Sequence, residues 1–530
     1  MIVVAGIDSG CWEYITPLLE AGRMPNLARL MGQGSFGVLR STTPPLSPVA
    51  WSSFVTGRRP DRHGIFDFWH PEDGSNGGGF RPALASDRQG APFWQHLNRA
   101  GIGCGIVNIP LTHPPQSLEG FLIAGFDAPG SPAQKVYPRD LFDELRASYG
   151  PAVLEAPGSE LARSDPVAFF EQYALHDRLQ TQALIDLAGR LGLGMVAINL
   201  MFNDHLSHMM ADFSFVERGL EVTDENIGRL RAAFPEANFI VMSDHGSYRT
   251  RGTFLLFDWL LRQGLIRLDP RRATATRVNA ALRSCLRKRW GLAGYLEKGL
   301  RHALKLLLSL LPEAGQEAVV ERLSGKDDFY WPWEVIDCAH SPVTMCSPAI
   351  GGFYLGGQSG RSVDVPALAR LLEGLKDDQG RAIFSKVAAR EKLYANGLSR
   401  LAPELQASSQ LNLYTSARLR RDGPLTVDNR TISYYGNHTP EGVYVLSGPG
   451  FNRGVRGQLN IWDVPAMILR LAGLAIPADF EATLPEGVLR QPLEREEAGL
   501  AAEAGAGGAA PPTAAEMGDI KERLKGLGYM

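Results

Sequence analysis

The sequence predicts an α/β fold: an α/β/α sandwich with a mostly parallel central sheet and a helical cap insertion. Two observations carry this. Four short runs are apolar almost throughout: IVVAGID at 2–8, IGCGIVNIP at 102–110, LGMVAINLMF at 193–202 and ANFIVMSDHG at 237–246. Each ends in polar or glycine-rich turns and is followed by helical periodicity, the pattern of parallel strands buried on both faces under helices. The composition permits such a core, since 530 residues with 44% hydrophobic and 21% charged side chains can bury a large interior.

Taken in order, the first run leaves the carboxylate of Asp8 at its exit, in GIDSG. At 46–57, LSPVAWSSFVTG, a proline-bounded segment opens on Ser47 and closes on Gly57, the punctuation of a helix. The run at 193–202 feeds FNDHLSHMMADF, where a helical turn would set Asp204 and His208 on one face. The run at 237–246 ends in adjacent Asp244 and His245. These elements form the first part of the core, 1–265.

From Arg267 to Lys305 the chain carries eleven Arg or Lys against Asp269 and Glu297, then continues as HALKLLLSLLPEAG. We read 266–329 as a helical, basic insertion. It suits a solvated hairpin packed by its leucines, a lid attracting an anionic substrate, or a membrane-surface helix. The second part of the core, 330–494, returns to strands and turns, with GGFYLGG at 351–357, a helix near 364–375 and GVYVLSGPG at 442–450. Just before the last of these, YYGNHTPEG places His438 in a glycine-bracketed loop. Residues 495–530 read as a flexible Gly/Ala/Pro-rich arm ending in a short docked helix with Ile520, Leu524, Leu527 and Tyr529 as its apolar positions.

The net charge of -3 argues against a stable nucleic-acid complex. Five cysteines, Cys11, Cys104, Cys285, Cys338 and Cys346, form no CxxC pair, so neither a disulfide framework nor a thiolate zinc site is expected. No window reaches the roughly 18 apolar residues of a membrane span, and no signal-like run precedes the first strand. The expectation is a cytoplasmic protein, with room for a homo-oligomer.

Buried charged groups at strand exits need partners. Asp8, Asp204, His208, Asp244, His245 and His438, with Ser47 as a seventh, make a set of oxygen and nitrogen donors suited to Zn2+, or alternatively Mn2+. Two divalent ions about 4 Å apart would explain why so many are needed, because such a pair holds both the attacking and the leaving oxygen of a phosphoryl transfer.

With these segments in view, the chain resembles the type I phosphodiesterase and nucleotide pyrophosphatase branch of the alkaline phosphatase superfamily. The resemblance spans roughly 1–265 and 330–480 through GIDSG, RMPNLARLMGQGSFGVL, TTPPLSPVAWSSFVTGRRPDRHGIFDF, NDHLSH, SDHG and NHTPEGVYVLSGPG, in that order. It implies one metal on Asp8, Asp244 and His245 with Ser47 as the nucleophile, and another on Asp204, His208 and His438. The expected reaction is hydrolysis of a phosphodiester or nucleotide pyrophosphate bond in a small phosphorylated or nucleotide-like substrate, through a covalent seryl phosphate. A phosphomonoesterase or phosphonate hydrolase on the same metals is one alternative, and a non-enzymatic scaffold for anionic lipid or a partner is another.

Asn108, His63, Arg58 and Arg59 are candidate substrate contacts. Serine stands where most of this branch would show threonine. The segments LLFDWL at 255–260 and EVIDCAHSPVTM at 334–345 also depart from the branch and are candidates for the substrate border.

Overall fold

The computed structural model describes residues 1–72, 79–129, 132–273, 335–345, 350–356, 363–410, 413–417, 423–429, 434–496 and 512–527, with 300, 303, 304, 312 and 347. The apolar runs form the centre of a nine-stranded sheet. Its strands in chain order are β1 Ile2–Ile7, β2 Ser35–Arg40, β3 Cys104–Ile109, β4 Gly120–Ala124, β5 Val136–Tyr137, β6 Met195–Leu200, β7 Asn238–Met242, β8 Glu441–Ser447 and β9 Gln458–Asn460. Across the sheet they lie β9-β2-β8-β7-β1-β6-β3-β4-β5. Strands β7, β1, β6, β3 and β4 are mutually parallel, while β8 runs antiparallel between β2 and β7.

Alternation along β1 explains the layers. Ile2 and Val4 face a cluster with Trp51, Phe54, Phe93, Trp94 and Met467. Val3, Ala5 and Ile7 face the opposite cluster, with Leu18, Leu27, Leu184, Leu187 and Ile227. A strand that serves both faces must be apolar throughout, which is why these runs read as they do. Helices cover both sides: α1 Trp12–Glu20, α2 Pro25–Gln33, α3 Ser47–Thr56, α4 Pro166–Leu191, α5 Phe202–Met209, α6 Ser214–Ala233 and α7 Val464–Leu471. The result is the α/β/α sandwich expected.

The chain after the insertion does more than complete this sheet. Val343–Thr344, Gly352–Leu355, Leu405–Ser409 and Phe384–Ala389 form a second, antiparallel sheet of four strands. Its apolar core joins Val335, Ile336, Val343 and Met345 to Phe257, Trp259 and Leu260. The two departing segments thus pack against each other. Among the described residues, only β8 and β9 return from this later region to the main sheet.

Most of the basic insertion, including Arg287, Lys288 and Arg289, lies outside the described residues, as do 497–511 of the arm and Tyr529. The closing helix, α8 Ala514–Leu527, is present and buries Ile520 and Leu524. Among the described residues no helix is long and apolar enough to cross a membrane.

Candidate metal centre

Register decides where the donors meet. Gly6 of β1 pairs with Asn199 of β6 on one side and Met242 of β7 on the other, so the three strands end together. Asp8 leaves β1, α5 with Asp204 and His208 follows β6, and Asp244 and His245 follow β7. The later chain reaches them through a short antiparallel pairing of Gly246–Arg249 with Gly436–Thr439, in which His438 lies opposite Ser247. The rings of His245 and His438 stack with centroids 3.8 Å apart.

Two glycines permit these approaches. A Cβ on Gly436 would lie 2.6 Å from the Ser207 carbonyl oxygen, and one on Gly6 would lie 2.6 Å from the tip of the Trp51 ring. Trp51 in turn donates from Nε1 to Asp8 Oδ2 at 3.4 Å, and Asn199 donates to the same oxygen at 2.8 Å. Ser47 is the first residue of α3, and its Oγ lies 3.2 Å from His245 Nε2.

All six acidic and histidine candidates are brought together. Asp8, Asp244 and His245 offer atoms within 4.8 Å of one another, and so do Asp204, His245 and His438. His208 joins the second group: its Nε2 is 3.2 Å from Asp204 Oδ1 and 2.9 Å from His438 Nε2, and His438 Nε2 is 3.4 Å from Asp204 Oδ1. His245 therefore faces both groups.

The hydrogen bonds behind the rings fix their tautomers. His208 Nδ1 meets the Gly436 carbonyl at 3.0 Å, His438 Nδ1 the Pro45 carbonyl at 3.0 Å, and His245 Nδ1 the Gly246 carbonyl at 3.1 Å. A carbonyl only accepts, so each Nδ1 carries a proton, and each ring turns its Nε2 inward. Burial, with His438 close by, holds His245 well below the usual histidine range, and burial also lowers His438.

The carboxylates crowd one another. Burial, then Asp244 and Asp204, pushes Asp8 well above the ordinary range, and burial with Asp204 pushes Asp244 up to about 7. Burial acts on Asp204 in the same sense, but the neighbouring His208 and His438 outweigh it and hold that carboxyl well below its ordinary value.

This donor set fits divalent cations. Asp8 Oδ1 and Asp244 Oδ2 are buried without a hydrogen-bond partner among the described residues. The Nε2 atoms of His208 and His438 also converge, 2.9 Å from each other and at 3.2 and 3.4 Å from Asp204 Oδ1. Positive charge among these atoms would satisfy both features.

The candidate substrate contacts fare differently. Asn108, buried at the exit of β3 with a left-handed backbone (φ 56°), donates from Nδ2 to the Asn199 carbonyl at 3.0 Å. His63 is committed to its own loop: Nδ1 accepts from Ile65 N at 3.2 Å and Nε2 meets Ser53 Oγ at 3.0 Å. Arg58 and Arg59 lie beyond the C-terminal end of α3, about 15 Å of helix from Ser47. There they pair with Asp479 and Glu481.

Sequence reasoning passed over Ser9 and Asn199. Ser9 Oγ donates to Asp204 Oδ1 at 2.6 Å and its backbone N–H to Asp244 Oδ1 at 3.4 Å, tying the two groups together. Asn199 was detectable as the lone polar side chain inside an apolar strand. Ser9 gave no signal beyond its place after Asp8.

A parallel-centred sandwich with clustered Asp and His donors at its strand exits defines a class, the alkaline phosphatase superfamily. Within it, the family model of type I phosphodiesterase / nucleotide pyrophosphatase matches residues 2–305, and the chain belongs to that family. The match stops short of His438, which only the folded chain brings to the cluster. No curated protein matches the chain. Family membership and the two donor groups together support a metal-dependent hydrolase.

Proposed function

We propose that this chain hydrolyses a phosphodiester or nucleotide pyrophosphate bond through a covalent phosphoseryl intermediate on Ser47. In this reading Asp8, Asp244 and His245 hold one divalent cation and Asp204, His208 and His438 another, zinc or alternatively manganese. The observation that carries it is the 3.2 Å approach of Ser47 Oγ to His245 Nε2 within the donor cluster. When bound, the cations supply positive charge against phosphoryl oxygens and favour the ionised form of a nearby hydroxyl.

The chain's own groups support the remaining steps. Ser47 stands at the N-terminus of α3, where the helix favours negative charge. Its oxygen attacks phosphorus in line, the bond to the leaving oxygen breaks, and the leaving group departs with the electron pair and takes up a proton. Water then attacks the phosphoserine, restoring the hydroxyl and releasing the second half of the ester. The histidine rings, each anchored through Nδ1 to a carbonyl, need no rearrangement during this sequence.

The same reading places the protein in the cytoplasm, in keeping with Cys11, Cys104 and Cys338 being free thiols. The test compares nitrophenol release from bis-nitrophenyl phosphate, nitrophenyl phosphate and a nitrophenyl phosphonate ester with zinc or manganese present. The diester should be preferred, and Ser47→Ala should lower its turnover at least about a thousandfold with metal content unchanged. Near-wild-type turnover by S47A would defeat the covalent route. A preference for the monoester or phosphonate would reassign the substrate class.

A further inference from the structure

A second group of buried polar side chains lies beside the donor cluster, where α8 meets the main body. Lys135 ends the helical turn Pro132–Lys135, is 4% exposed, and has no hydrogen bond or ion pair among the described residues. Helix α8 docks close by, its Ile520 and Leu524 joining a cluster that contains Leu46 and Val49, which flank Ser47, together with Phe126 and Met201. From this helix the partly buried Arg523 donates through Nη1 to the Ala128 carbonyl at 3.3 Å.

The turn that Arg523 touches lies beside Lys135: Ala128 N donates to the Gly125 carbonyl at 3.0 Å just past β4, and β4 pairs antiparallel with β5, Ile123 opposite the Val136 that follows Lys135. Burial, then Arg523, pulls Lys135 down to about 7, and burial lowers Arg523 as well. Two carboxylates are near, buried Asp127 and exposed Glu155. Asp127 accepts the Leu111 N–H at 2.9 Å, and among the described residues neither carboxylate forms an ion pair with either cation. The group continues toward the donor cluster through Tyr173 and His205, whose rings are 5.1 Å apart. The Tyr173 hydroxyl and both His205 nitrogens have no hydrogen-bond partner among the described residues. His205 follows Asp204 in α5, and the charges of both Asp204 and Arg523 reach Tyr173 and His205.

We propose that Lys135 and Arg523 form an anion subsite that receives a second negatively charged group of the substrate, a carboxylate or phosphate lying beyond the scissile phosphorus. Two sequestered cations of like sign without a bonded counter-charge are costly, and an anion with several oxygens accepts from both at once. The unpartnered Tyr173 hydroxyl adds a further donor. Specificity would then depend in part on the closing helix of the chain, which carries Arg523 and also packs beside the start of α3.

The word substrate rests on the phosphoester reading above, whereas the affinity of the pair for anions does not. The test uses nitrophenyl alkyl phosphate diesters of graded chain length, ending in methyl, carboxylate or phosphate. Binding is measured by calorimetry on zinc-loaded S47A protein, and turnover on the zinc-loaded wild-type chain. At least one charged member should bind about tenfold or more tightly than its methyl counterpart.

Lys135→Met and Arg523→Met should each erase that preference, raising KM far more than they lower kcat, while Arg523→Lys should retain part of it. Because Lys135 lies on a separate element, K135M keeps the test valid if R523M loosens α8. If nothing is hydrolysed but the binding preference disappears in both Met variants, the subsite stands and the phosphoester reading falls. If esters are hydrolysed with no preference for a charged end at any length, or with a preference that K135M and R523M leave intact, the subsite is overturned.

Discussion

Replacing Gly6 by alanine should damage both stability and chemistry, and the size of the effect follows from the packing. The new Cβ would lie 2.6 Å from Trp51 Cη2 and 3.0 Å from Asn199 Oδ1. Carbon atoms rest at about 3.5–4.0 Å, so the ring tip must retreat by roughly 1 Å. Trp51 is fully buried and packs edge-on against Phe54, with centroids 5.2 Å apart, so the ring cannot give way alone and α3 must move with it.

Overpacking of this kind costs about 1–3 kcal/mol. Because α3 begins with Ser47, the proposed nucleophile, a displacement near 1 Å there should lower turnover by about a hundredfold. Urea unfolding of G6A and wild type gives the stability difference, and nitrophenol release gives the rate. A variant within about 0.5 kcal/mol of wild type and equally active would refute the idea that β1, Trp51 and Ser47 form one rigid stack.

Ser9→Ala removes the 2.6 Å bond that orients Asp204 and should weaken metal affinity about 10- to 100-fold, read by competition with a chromophoric chelator; unchanged affinity would mean the bond does not orient the carboxylate. Burial pushes Asp177 up to about 8, so the folded chain keeps a proton that the unfolded chain, with a carboxyl near 3.9, has released. Stability should therefore fall as pH rises from about 4 toward 8 and level off above it. The wild-type minus Asp177→Asn difference in unfolding free energy isolates this slope, and a flat difference would show that the carboxyl is not held protonated. Asp61 accepts from Ala395 N, Asn396 N and Asn396 Nδ2 at 3.0, 3.0 and 2.6 Å, latching the loop after α3 to a distant segment. Asp61→Ala should cost about 2–3 kcal/mol and raise protease sensitivity near 395; equal protection would show that the latch is dispensable.

The buried strands β1, β3, β6 and β7 were legible because a strand pressed between two helical layers has to be apolar at every position. Asp8, Asp204, Asp244 and their histidines were legible because charged residues directly after such strands stand out. Strand β2 was harder to read, since SFGVLR mixes polar and apolar residues and pairs through the distant β8. The separate four-stranded sheet was also hidden: its members run from two to six residues, too short for any periodicity to declare itself. Ser9 bonding to Asp204 and Trp51 to Asp8 join residues far apart in the chain, and local pattern carries no trace of such contacts. Arg58 and Arg59 show that nearness in the chain is not nearness in space, since the length of α3 separates them from Ser47 and they pair with Asp479 and Glu481.

Strand β8 enters between β2 and β7, and the turn leading into it delivers His438. The sheet therefore cannot close until more than four-fifths of the 530 residues have left the ribosome. A nascent or prematurely ended chain would hold a split sheet and an incomplete set of imidazoles. Synthesis itself thus acts as a safety catch, leaving unfinished copies without an assembled donor cluster.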